Sequence, residues 1–126
     1  MTASLELTFV PLPASVTAAR KRVAEYAGEV GADRDAVELA VCEGVGNAVM
    51  HAFEGRSDGT IAVRAWVEGD SRLVVEVADD GSGINPDVRT HRAGFGLPIV
   101  GGLTESLEVH SGASGTRLVM RFPRGG

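Results

Sequence analysis

Apolar and polar residues change period several times along the chain, and each change predicts an element. Leu5, Leu7 and Phe9 alternate with Glu6 and Thr8. That is the period of a half-buried strand over 4–10. Pro11 and Pro13 end it. From Pro13 or Ser15 to about Val30, the residues Val16, Ala19, Val23, Tyr26 and Ala27 fall at helical spacing, and Gly31 stops the helix. Asp33 stands where a second helix, 36–52, needs its N-cap. A polar turn at 55–59 leads into a second alternating run over 60–67, with Ile61, Val63, Ala65 and Val67 on one face and Arg64 and Trp66 on the other. Gly69 and Asp70 make a hairpin turn, and 72–78 returns with Leu73, Val75 and Val77 inward. A polar loop over 79–93 carries Gly81, Gly83, Asn85 and Pro86. A third helix opens at Gly94 with Pro98 in its first turn. The runs 107–110 and 116–122 form a last hairpin, in which Thr116 shares the inward face with Leu118, Met120 and Phe122.

Strands that cluster as hairpins, with helices that must all cover the same face, predict a two-layer α/β sandwich with an antiparallel or mixed sheet. No internal repeat, linker or low-complexity tract divides the 126 residues, so one domain over 1–126 is expected.

The helix over 36–52 breaks the ordinary pattern. Val41, Val45, Ala48 and Ala52 form an apolar stripe. Glu43 and Asn47, one turn apart, fall on the other side among Ala36, Leu39, Ala40 and Met50. A solvated face would carry Lys, Arg and Glu, so this pattern predicts a helix covered on both sides. Gly44 and Gly46 each weaken a helix by about 1 kcal/mol relative to Ala, which suggests that a backbone or a ligand comes close. Taken alone, the helix fits either a core element with one satisfied Glu and one satisfied Asn, or the wall of a site.

Composition narrows the chemistry. Twelve basic against 17 acidic residues give a net charge of −5, with no basic stripe for nucleic acid. No run approaches the ~20 apolar residues of a membrane span, and the start lacks a positively charged leader region. A cytoplasmic protein with neither nucleic acid nor membrane as partner is expected. Cys42, the only cysteine, excludes an intramolecular disulfide and a cysteine cluster for zinc. Lys21, the only lysine, lies in a helical stretch far from any glycine loop. That excludes a P-loop NTPase and the ordinary eukaryotic-type protein kinase. His51, His91 and His110 have no metal-ligand spacing.

Four pieces remain: Glu43 with Asn47; Asp79-Asp80-Gly81-Ser82-Gly83 after an apolar strand; Gly94-Phe95-Gly96-Leu97 at a helix start; and Gly115-Thr116 entering the last strand. An isolated Asp-x-Gly-x-Gly is commonly a turn, and Gly-x-Gly before a helix commonly relieves crowding. In this order and on these elements, the four together resemble the Bergerat ATP-binding fold. That fold is shared by gyrase B, a heat-shock chaperone, histidine kinases and MutL, and it implies a mixed, mostly antiparallel sheet covered on one face by three helices. Glu43-x-x-x-Asn47-Ala48-x-x-His51-Ala52, behind a strand and a helix carrying Arg20, resembles the anti-sigma-factor serine/threonine-protein kinases. A sensor histidine kinase would add an upstream helix with an acceptor His, and no His precedes the central helix here.

The resemblance implies ATP and Mg²⁺ as cofactors and assigns roles. Asn47 would be the protein ligand of Mg²⁺, which replaces the missing lysine at the phosphates. Glu43 would accept the proton of a serine hydroxyl. Asp79 would accept a hydrogen bond from the adenine amino group, with Thr116 behind it. Gly81 and Gly83 would let the backbone pass the base and ribose. Gly94, Gly96 and Leu97 would offer backbone N–H groups to the phosphates. The segment 84–93 would be the ATP lid, short for the family, with Arg89 and Arg92 as candidates near the γ-phosphate or as solvated loop residues. The implied partners are a sigma factor, which is sequestered, and an anti-sigma-factor antagonist, which is phosphorylated. A homodimer is implied too, and the first strand could pair across a two-fold axis. The other reading is an ATP-binding regulatory module that holds a partner without kinase activity.

Overall fold

The computed structural model describes residues 4–52, 59–69, 71–80, 104–112 and 115–124. Strand β1 (Leu5–Phe9) is followed by helices α1 (Pro13–Glu29) and α2 (Arg34–Asn47), then by strands β2 (Ile61–Glu68), β3 (Arg72–Asp79), β4 (Ser106–Gly112) and β5 (Gly115–Pro123). The strands form one sheet in the order β1-β2-β3-β5-β4, and all four neighbouring pairs are antiparallel. The third helix expected from Gly94 onward lies outside the described residues.

Local chemistry explains the element ends. The α1 helix has Pro13 in its first turn, where a missing N–H is harmless. At its other end Gly31 takes φ +82°. The Gly31 N–H then bonds the Gly28 carbonyl at 3.3 Å, and the Ala32 N–H bonds the Ala27 carbonyl at 2.9 Å. These are the two bonds of a Schellman motif. Asp33 caps α2 as expected, its Oδ1 accepting from the N–H groups of Asp35 and Ala36 at 3.0 and 3.2 Å. After Asn47 the helix widens into one π-helical turn, Ala48–Ala52.

The core lies between the helices and one face of the sheet. The α1 helix contributes Ala19, Val23 and Ala27, α2 contributes Val37, Ala40, Val41 and Val45, and the strands contribute Ile61, Val63, Leu73, Val75, Met120 and Phe122. Ala40, grouped with Glu43 by its position in the sequence, is fully buried. Gly44 also faces the sheet. A Cβ there would sit 3.4 Å from Leu118 Cδ1 and 3.6 Å from Val77 Cγ2. The protein atoms nearest this position are therefore side chains of β3 and β5, at ordinary contact distance.

The expectation that α2 is covered on both sides is corrected. Leu39 is 44% and Met50 65% exposed. A two-layer sandwich offers a helix one sheet to bury against, and here the stripe centred on Val41 and Val45 takes it. The far face of the sheet is closed by its own long side chains. Glu76, buried there, receives Arg64 and pairs with Arg117 at 3.6 Å. Arg121 bridges Glu68 and Glu108, and the Arg64 guanidinium lies over Trp66, 5.7 Å from the ring centre. Among the described residues, no helix is long and apolar enough to cross a membrane.

Candidate functional site

Glu43 and Asn47 lie on α2, one turn apart and both partly buried. Among the described residues, Glu43 makes no hydrogen bond or ion pair. Glu38 on the same helix, by contrast, pairs with Arg20 at 2.8 Å. The helix crosses the sheet with Gly44 over Val77, two residues before Asp79. Asn47 is one turn further on, where the helix opens into the π-helical turn. Such widened turns occur often at functional sites.

Asp79 is the last residue of β3 and not, as its polar neighbours suggested, the first of a loop. In the sheet it stands directly opposite Thr116 of β5 on one side and Ile61 of β2 on the other. Thr116 is buried, 6% exposed, on the core face as expected. The antiparallel ladder thus brings Asp79 and Thr116, 37 positions apart in the sequence, into adjacent places at one end of the sheet.

Two features of this corner escaped the sequence. Gly115 has φ +136°, and a Cβ on it would lie 2.0 Å from the Asp79 carbonyl oxygen. It must be glycine for β5 to begin beside Asp79. Asp80 is exposed, yet its Oδ1 accepts from the Thr60 N–H at 2.8 Å.

Gly81, Gly83, Gly94, Gly96 and Leu97, with the lid 84–93, Arg89, Arg92 and His91, lie outside the described residues, as does the side chain of His51. His110 is an exposed β4 residue, its Nε2 3.4 Å from Glu108 Oε1. Cys42 is partly buried. Among the described residues, no group of three or more His, Cys, Asp or Glu side chains could hold a metal ion.

A family model described as a histidine kinase-like ATPase domain matches residues 9–122. The chain belongs to the histidine kinase-like ATPase domain family. It is 30% identical over 134 aligned positions to the anti-sigma F factor of Clostridium acetobutylicum, with 93% of this chain and 91% of that protein covered. It is 33% identical over 85 positions to the serine-protein kinase RsbW of Listeria monocytogenes, covering 65% of this chain and 54% of that protein. Among solved structures, the RsbU and RsbW domains of a Mycobacterium tuberculosis protein superpose with a TM-score of 0.77 at 26% identity. That match takes in 99% of this chain and 34% of the mycobacterial one, so this chain spans about a third of it. These relatives agree with the resemblance to the anti-sigma-factor kinases carried by Glu43, Asn47 and His51, and with the α/β fold of the family.

Proposed function

We propose that this chain is an ATP-dependent serine protein kinase and anti-sigma factor. In this reading it transfers the γ-phosphate of ATP to a serine of an anti-sigma-factor antagonist and sequesters a sigma factor. The observation that carries it is one corner of the fold: the Glu43–Asn47 turn of α2 lies over β3, which ends at Asp79 opposite Thr116. The names of the Clostridium and Listeria relatives support the same reading.

The donor set fits a magnesium nucleotide. A site with few protein ligands suits Mg²⁺, which keeps several waters and takes phosphate oxygens. Asn47 would hold the metal through one neutral oxygen, and Gly81, Gly83, Gly94, Gly96 and Leu97 would line the nucleotide. When bound, the metal supplies charge neutralisation at the phosphates. Asp79 orients the base by accepting from its amino group, and Thr116 supports it from the neighbouring strand. Glu43, one turn from Asn47, would take the proton of the serine hydroxyl as that oxygen attacks the γ-phosphorus and ADP leaves. No cationic side chain of α2 needs to enter the site.

The protein acts in the cytoplasm as a homodimer in this reading. The β1 edge of the sheet, continued by the exposed Val10 and Leu12, is the surface for pairing. The test is transfer of labelled phosphate from ATP to serine-bearing proteins that co-purify with the chain. Phosphoserine on such a partner supports the kinase. Nucleotide-dependent capture of a partner with no phosphoserine formed supports a binding module instead.

A further inference from the structure

Asp79 is the last residue of β3, and strand ends fray. A carboxylate that selects a base by one hydrogen bond needs a fixed backbone beneath it. The sheet provides this on both sides, by different means. Toward β5, the absence of a side chain on Gly115 lets that strand start against the Asp79 carbonyl. Toward β2, the ladder ends at Ile61 and Asp79, and the next two residues, Thr60 and Asp80, are joined by two further hydrogen bonds.

That last pair is unusual. In a regular hydrogen-bonded antiparallel pair, each residue donates its N–H to the other's carbonyl. The Asp80 N–H does donate to the Thr60 carbonyl, at 3.3 Å. The return bond from the Thr60 N–H goes to the Asp80 side chain, at 2.8 Å. The carboxylate takes the place of its own carbonyl. The pair thus stays closed at Asp80, the last described residue before Gly81.

We propose that Asp80 is a positioning residue for Asp79: it locks the end of β3 to β2 through the Thr60 N–H, and so sets the carboxylate that reads the adenine amino group. The inference rests on Asp79 having that role. It needs an acceptor oxygen at position 80, not a charge, so asparagine should serve and alanine should not.

The test titrates the full chain and its Asp80→Ala and Asp80→Asn variants with Mg–ADP and with Mg–inosine diphosphate, which lacks the amino group. For Asp80→Ala, ADP affinity should fall about 10-fold, the loss of roughly one well-placed hydrogen bond. Affinity for inosine diphosphate should stay within about 2-fold, so the preference for adenine narrows. Asp80→Asn should keep most of the ADP affinity. Three results overturn the inference while leaving the nucleotide site standing: unchanged ADP affinity in Asp80→Ala, an equal fall for both nucleotides, or asparagine no better than alanine. An unsubstituted chain that binds neither nucleotide overturns the proposed function itself, and this inference with it.

Discussion

Replacing Glu43 with alanine should separate chemistry from scaffold. The side chain is partly buried on α2 and makes no hydrogen bond or ion pair among the described residues. Its removal breaks no hydrogen bond or ion pair among the described residues, and alanine is the best helix former. Stability should change by no more than about 0.5 kcal/mol, or about 2 °C in melting temperature for a domain of this size. A general base contributes about 10² to 10⁴ in rate. Even the lower figure corresponds to about 2.7 kcal/mol of activation free energy, several times the stability change. The assay is single-turnover transfer of labelled γ-phosphate to a serine-bearing partner at saturating ATP, with nucleotide affinity measured by calorimetry on the same samples. We expect transfer to fall at least about 100-fold, with affinity within about 3-fold of the unsubstituted chain. If affinity falls as far as transfer, or if transfer survives, Glu43 is not the base.

Other consequences follow from the packing and the charges. Gly44→Ala should stabilise the fold by up to about 1 kcal/mol, because the new methyl would meet Leu118 and Val77 at ordinary contact distance. Gly44→Leu should destabilise it by about 1–3 kcal/mol by forcing α2 off the sheet; chemical denaturation checks both. The Tyr26 hydroxyl is buried, with no hydrogen-bond partner among the described residues. Tyr26→Phe should therefore raise stability by about 1 kcal/mol. Burial pushes the Tyr26 phenol up, an effect partly offset by Arg124. The fold thus favours the protonated form, and stability is lost as pH rises above the ordinary tyrosine value. Melting curves of Tyr26→Phe should be flatter on that alkaline side. The Arg121 guanidinium, and then His110, hold the Glu108 carboxyl below its usual range. Their stabilisation is present above the ordinary glutamate value and is lost as pH falls through the depressed one. Acid melting profiles of Arg121→Met should show a smaller loss across that window.

Much of this architecture was legible because local rules and tertiary needs agree. Alternation in 4–10, 60–67 and 72–78 found three strands, and Gly31 and Asp33 marked the turn between the helices for reasons the structure repeats as hydrogen bonds. Thr116 was placed inward by period alone, and the register then set it opposite Asp79. Ala40 and Gly44 were harder, since a small residue beside a stripe gives no sign of how close the sheet approaches. The exposure of Leu39 and Met50 contradicts a rule that reads apolar side chains as covered. Asp80 and Gly115 were invisible as parts of the corner. An exposed aspartate before a glycine looks the same whether or not it binds an amide 20 residues away, and a glycine before a threonine does not announce its φ.

Determining the structure of the chain with magnesium and a non-hydrolysable ATP analogue tests the account most directly. The adenine amino group should lie about 3 Å from the Asp79 carboxylate, beside Thr116, with the metal about 2.1 Å from the Asn47 side-chain oxygen. An analogue bound away from the end of β3, or a metal with Asn47 outside its coordination shell, would contradict it.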